Sequence, residues 1–198
     1  VGTSSTGTLN AADGNTGVGT GVFGALTTGD NNVAVGFNSL DLNTTGSSNT
    51  SIGKDSLKSN TTGAGNTSVG MGTLYSNTTA SYNTAIGSLA LDTNTTGASN
   101  TAVGYDALTA NSSGSNNTAV GGNALDANTT GLNNTTVGYD SLTSNTTGAS
   151  NVAMGNQAMF DNTTGNNNVG VGCDALANNT TASNNTAVGC GALHKNTT

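Results

Sequence analysis

The sequence contains no proline, tryptophan, glutamate or arginine, its only cations are Lys54, Lys58 and Lys195, and aromatic residues make up 4% of it. Each absence excludes a class. Binding to phosphates relies on clustered Lys and Arg that release counterions, so a chain without arginine and with a formal net charge of −7 is not built for nucleic acid or for an anionic membrane surface. No apolar run is long enough to cross a bilayer. With 32% hydrophobic residues the chain has little from which to build a thick core, which is also how a structureless polymer is composed. What is abundant is Asn (32), Thr (37) and Gly (30), together half of the 198 residues. Asn and Thr compete with the helical backbone for hydrogen bonds and Gly loses more backbone entropy than any other residue, so helix is disfavoured along the whole length.

Regular repetition argues against disorder. The glycines Gly19, Gly36, Gly53, Gly70, Gly87, Gly104, Gly121, Gly138, Gly155, Gly172 and Gly189 are 17 residues apart without one insertion or deletion. Numbering the slots of the unit from Asn15, the consensus is Asn-Thr-Ala-Val-Gly-x-x-Ala-Leu-x-x-Asn-Thr-Thr-Gly-x-x, with residues 100–116 a good copy. Slot four holds only Val, Ile or Met and slot nine only Phe, Leu or Met, while slots three and eight are small nearly everywhere. A unit of 17 residues is too short for a helix pair and fits one coil of extended chain. Residues 1–198 therefore read as one uninterrupted array, expected to be a segment of a longer one because Val1-Gly2 match the middle of the unit and Asn196-Thr197-Thr198 stop partway through it.

The fold expected is all-β, a parallel β-solenoid with one coil per repeat. Three short sides are suggested by the small-then-apolar pair that recurs five residues on, as in Ala102-Val103 and Ala107-Leu108, with a two-sided β-roll as the alternative. Alternation places slots two and four on one face of a short strand, here expected to point inward. The expected core stack is then Val35, Leu40, Ile52, Leu57, Val69, Leu74, Ile86, Leu91, Val103, Leu108, Val120, Leu125, Val137, Leu142, Met154, Met159, Val171 and Leu176. One coil buries too little to offset the entropy of ordering it, so stability must come from stacked neighbours and from ladders of identical Asn and Thr side chains. At about 4.8 Å per coil the array is a rod of roughly 55 Å.

Asn-x-Ser/Thr recurs at slot twelve, at Asn43, Asn60, Asn77, Asn94, Asn111, Asn128, Asn145, Asn162, Asn179 and Asn196. These are candidate glycosylation sites, with O-linked sugar on the adjoining Thr pairs as a variant; the competing reading is that Asn and Thr shape a turn and stack as hydrogen-bonded ladders. Cys173 and Cys190 share slot six of adjacent coils, close enough for a disulfide, although stacked parallel neighbours strain that geometry and free thiols are the favoured reading. Asp55, Asp106, Asp140 and Asp174 share slot seven, but no two are in adjacent coils, so they read as solvated charge rather than as a cation site. His194 is the only histidine. No slot gathers a carboxylate pair with a base, and no nucleophile has an activating partner, so neither catalysis, nor a metal, nor a cofactor is expected.

Asn-Thr-Ala-Val-Gly, at residues 100–104 and 117–121, resembles the Asn-Ser-Val-Ala-Ile-Gly repeats of trimeric autotransporter adhesin heads, which are parallel β-rolls. The longer form, Asn-Thr-Ala-Val-Gly-Tyr-Asp-Ala-Leu with a later Asn-Thr-Thr-Gly, is similar to tandem arrays of phage tail fibres and bacterial surface proteins. The added segment makes this unit longer than the adhesin-head repeat. The resemblance implies an elongated extracellular or virion-surface fibre with an adhesive role, for which host-surface glycans are the expected partners. Open coils at the ends of the array would template further stacking and the small residues of slots three and eight would allow a second chain to approach, so self-association, end to end or lateral, with a homotrimer as one form, is expected. The expected function is accordingly the structural shaft of an extracellular fibre or surface filament, with a phage tail fibre shaft as the nearest alternative and an ice-binding solenoid as a third class.

Overall fold

The computed structural model describes residues 12–196. It contains eleven three-residue strands: β1 Thr16–Val18, β2 Val33–Val35, β3 Thr50–Ile52, β4 Thr67–Val69, β5 Thr84–Ile86, β6 Thr101–Val103, β7 Thr118–Val120, β8 Thr135–Val137, β9 Val152–Met154, β10 Val169–Val171 and β11 Thr186–Val188. They form a single parallel sheet in sequence order, each residue paired with the one 17 positions on, as in Thr101↔Thr118 and Val103↔Val120. No helix is present among the described residues. The chain is the all-β parallel solenoid expected from its repeat.

Between strands the coil is turn and bend, yet still tied to its neighbours by backbone hydrogen bonds. The amide of Leu108 donates to the carbonyl of Ala124 (3.0 Å), Ala110 to Asp126 (3.0 Å) and Ser112 to Thr129 (3.0 Å). Two slots impose the turn chemistry. Slot five needs φ between 124° and 145°, and a Cβ there would collide with the next coil's slot-five carbonyl, as Gly104 would with Gly121 O; only glycine satisfies both conditions. Slot nine is left-handed at φ 47–57° although it holds Leu, Phe or Met. A β-branched residue is a severe outlier in that region, which accounts for the absence of Val and Ile from the slot.

The interior overturns one expectation. Slot three, not slots two and four, points inward: Ala34, Ala85, Ala102, Ala119 and Ala153 are fully buried, as are Ser51, Ser68 and Thr136. The leucine half of the expected core, Leu40, Leu57, Leu74, Leu91, Leu108, Leu125, Leu142, Met159 and Leu176, is fully buried. The slot-four half is not in the core. Val35, Val69, Val103, Val120 and Val171 are half-buried, and Ile52, Ile86, Val137 and Met154 are exposed, each at 40–41%. The physical reason is width. Opposite slot three stands slot eight, close enough for Ser51 Oγ to donate to Ser56 Oγ at 2.8 Å, which leaves room between the walls for one methyl or hydroxyl from each.

In the second to fourth coils hydroxyls replace methyls and pair. Ser39, Ser51, Ser56, Ser68 and Thr73 form a buried chain across three coils, with Oγ–Oγ distances of 2.8, 2.8, 2.7 and 2.6 Å. Each supplies a partner that would otherwise be missing inside the rod.

Candidate functional site

Beside the leucine row run two columns of asparagine, from slots one and twelve, and they meet on one acceptor. Asn100 Nδ2 and Asn111 Nδ2 both donate to the carbonyl of Gly114, each at 2.9 Å. Asn111 Nδ2 also donates to Asn94 Oδ1 in the preceding coil (2.8 Å), while Asn83 Oδ1 accepts the backbone N–H of Asn100 (2.9 Å). The pattern repeats in nearly every coil, so buried amides find donor and acceptor partners along the axis.

This arrangement decides what the slot-twelve asparagines do. Asn43, Asn60, Asn77, Asn94, Asn111, Asn128, Asn145, Asn162 and Asn179 are completely buried. Asn60 Nδ2 donates both to Asn43 Oδ1 (2.8 Å) and to Gly63 O (3.0 Å), and Asn196 Nδ2 donates to Asn179 Oδ1 (3.1 Å). From Asn60 to Asn179 the nitrogen that would carry a glycan has neither a free N–H nor a path to solvent; Asn43 is equally buried, and Asn196, at the last described coil, is half-buried. The candidate N-glycosylation sites are therefore structural ladder residues in the folded array. Of the neighbouring Thr pairs, slot thirteen spends its hydroxyl on the next coil, as Thr61 Oγ1 does on Thr78 O (3.0 Å), whereas slot fourteen is exposed in every unit among the described residues.

The outer surface of the sheet is the largest regular feature. Slots two and four face out of it, Thr or Val in one row and Val, Ile or Met in the other, and none of the strand residues is charged. At the two ends Val18 is 60% and Val188 70% exposed.

Charge is concentrated elsewhere. Lys54 Nζ lies 2.7 Å from Asp55 Oδ2 and Lys58 Nζ 3.3 Å from Asp55 Oδ1, and the Lys58 ammonium sits 5.4 Å from the centre of the Tyr75 ring. The Lys54 ammonium beside it holds the Asp55 carboxyl below its usual range, against a smaller opposing effect of burial. Burial, with a contribution from Asp106, raises that of Asp92. Of these groups Lys54, Asp55, Tyr75 and Asp92 border an open cavity of about 310 Å³, lined also by Met71, Gly72 and Leu89.

Cys173 and Cys190 are both exposed and free, so the candidate disulfide is not formed. Local desolvation and the Asp174 carboxylate, 3.5 Å from Cys173 Sγ, raise the pKa of that thiol. Among the described residues no three His, Cys or Asp side chains gather as a metal site, and no helix is long and apolar enough to cross a membrane. Comparison with protein-family models, with curated proteins and with solved structures finds no match.

Proposed function

We propose that the chain is the shaft of an extracellular fibre, a surface filament or adhesin stalk whose copies associate side by side through the outward face of the sheet. The observation that carries this reading is the unbroken aliphatic row of slot four, from Val18 to Val188, on an uncharged sheet face. Contiguous exposed apolar rows of this length mark interaction surfaces on soluble proteins. The occupant that fits best is another copy of the same chain, because only a surface with the same repeat along the axis stays in register with it over all eleven strands. A homotrimer with three such faces turned inward is one closed form. A phage tail fibre shaft is the same physical object with a different owner.

Sedimentation and electron microscopy test it. The expected result is slender rods that form discrete oligomers, and that become single rods when Val103→Lys and Val120→Lys place two charges on the face. Compact globular particles refute the shaft; single rods at every concentration in the unmodified chain refute the lateral contact.

A second reading is supported by one specific observation: slot-two threonines and slot-four aliphatics lie side by side in a regular outward array, the kind of surface on which ice can order. Thermal hysteresis in the purified chain would support it, and freezing behaviour like that of an inert protein would remove it.

A further inference from the structure

We propose that the cavity between Lys54 and Asp92 is a binding site for a neutral sugar, a single pyranose ring or the terminal unit of a glycan. It lies past the glycine corner from the outward sheet face, on slots six, seven and ten, and stands whether or not the rods associate.

The cavity exists because of one missing side chain. Slot seven carries Asp55 in one coil and Leu89 two coils on, but Gly72 in the coil between, so the row of side chains is notched there. A Cβ on Gly72 would meet only the end of Leu89, at 2.9 Å, and otherwise open space. Met71 of slot six walls the notch on one side and Tyr75 of slot ten on the other. Lys54 and Asp55 close one end, Leu89 and Asp92 the other.

The lining is the mixture that a pyranose requires. Tyr75, Met71 and Leu89 supply an aromatic and apolar surface for the C–H face of a sugar ring. Asp55 and Asp92 supply carboxylate acceptors and Lys54 an ammonium donor for hydroxyl groups. A pocket of about 310 Å³ with a few convergent polar groups is at the small end of the size class for small-molecule sites. Charge separates the ligand classes. The lining carries one lysine, Lys54, against two aspartates, Asp55 and Asp92, and Asp55 is already paired with Lys54 and, from outside the lining, with Lys58. An anion therefore finds no uncommitted cation there, whereas a polyhydroxylated neutral ring uses the Lys54 donor and the Asp92 acceptor together.

Saturation-transfer NMR with the whole chain tests this, using methyl glycosides of glucose, galactose, mannose and N-acetylglucosamine as probes and the Tyr75 ring signals as the reporter. Transfer to at least one glycoside at millimolar concentration, with Tyr75 shifted, is the expected result. Gly72→Asn fills the notch with a residue that slot seven already accommodates at Asn38 and Asn123, with φ of 53° and 52°, and is expected to weaken binding about tenfold or more. Tyr75→Ala, at a partly exposed position, is expected to do the same and carries the test if Gly72→Asn disturbs the circular dichroism spectrum. No transfer to any glycoside overturns the proposal, as does transfer that is unchanged in Tyr75→Ala. A Tyr75 shift given by tetramethylammonium or inorganic phosphate and by no glycoside overturns it in favour of a charged ligand.

Discussion

Gly170 faces Met159 across the interior: a Cβ on Gly170 would lie 2.9 Å from Met159 Cγ and 3.4 Å from its Sδ. The other glycine in slot three, Gly17, also meets large side chains, Val22 and Phe23 of its own coil, with approaches of 2.8 and 3.1 Å. The slot that normally holds Ala gives up its methyl where a bulkier Val or Phe, or a longer Met, of slot eight or nine reaches into its place. Gly170→Ala should therefore destabilise the array by about 1–3 kcal/mol through overpacking, although alanine is the commoner residue there. Met159→Leu should restore most of the loss, and a double-mutant cycle in thermal unfolding would measure the coupling.

Removing one rung of the inner amide column should cost more than its loss of volume suggests. Asn94→Ala leaves Asn77 Oδ1 without a partner and takes one of two bonds from Gly97 O, which keeps Asn83 Nδ2, and from Asn111 Nδ2, which keeps Gly114 O. The unmet acceptor alone costs about 1–3 kcal/mol, so the variant should be destabilised at that coil, with amide exchange accelerated in the two flanking coils. Peptide mass spectrometry of native material should find Asn60 to Asn179 free of sugar.

Ala80 stands where eight of the ten described units have glycine and where, at Gly63, a Cβ would collide with the carbonyl of the next coil. The contacts beside Ala80 are correspondingly looser: Thr78 N to Thr95 O is 3.4 Å, whereas Thr61 N to Thr78 O and Thr129 N to Thr146 O are 2.9 Å. The Thr78 amide should exchange faster than those of Thr61 and Thr129, and Ala80→Gly should bring it into line.

Thr136 Oγ1 is buried without a hydrogen-bond partner. Thr136→Val keeps the branched shape suited to a strand and removes the unmet hydroxyl, so it should stabilise by about 1–3 kcal/mol in chemical denaturation.

Asp92 and Asp126 titrate above the ordinary value of 3.8, chiefly through burial and then through neighbouring aspartates. The native state thus holds protons that the unfolded chain has released, and these two groups lower stability as pH rises from that value through their folded pKa. Asp92→Asn and Asp126→Asn should each raise the melting temperature at about pH 7 and leave it nearly unchanged at about pH 3. Asp55, depressed by Lys54, has the opposite sign: it stabilises above the ordinary carboxyl range, and that contribution disappears as acid protonates it.

Much of the fold was legible. The 17-residue glycine period and the leucine row of slot nine are enough for a stacked solenoid. The facing of the strand was misread because hydrophobicity alone assigns Val and Ile to the inside, whereas here the walls are too close to admit them. Signals that would have corrected it are present in the residues. Ser51 occurs with Ser56, Ser68 with Thr73, Thr136 with Ser141, and glycine in slot three occurs only beside Phe23 or Met159, all of which tie slot three to slots eight and nine. Asparagine is usually an outside residue, so the slot-twelve column reads from sequence either as glycan sites or as turn residues stacked in ladders; its burial and the acceptor it shares with slot one at Gly114 decide for the ladder. The cavity was invisible in the sequence, since slots six, seven and ten must be known to line one hollow before Gly72 reads as a gap.

In the slot-twelve column every amide hands its hydrogen to the coil before it, from Asn60 to Asn43 onward to Asn196 to Asn179. The rod is thus a one-way object. Two such rods meeting in opposed orientation would confront acceptor with acceptor or donor with donor, and growth of a filament by annealing has to preserve a single direction from one tip to the other.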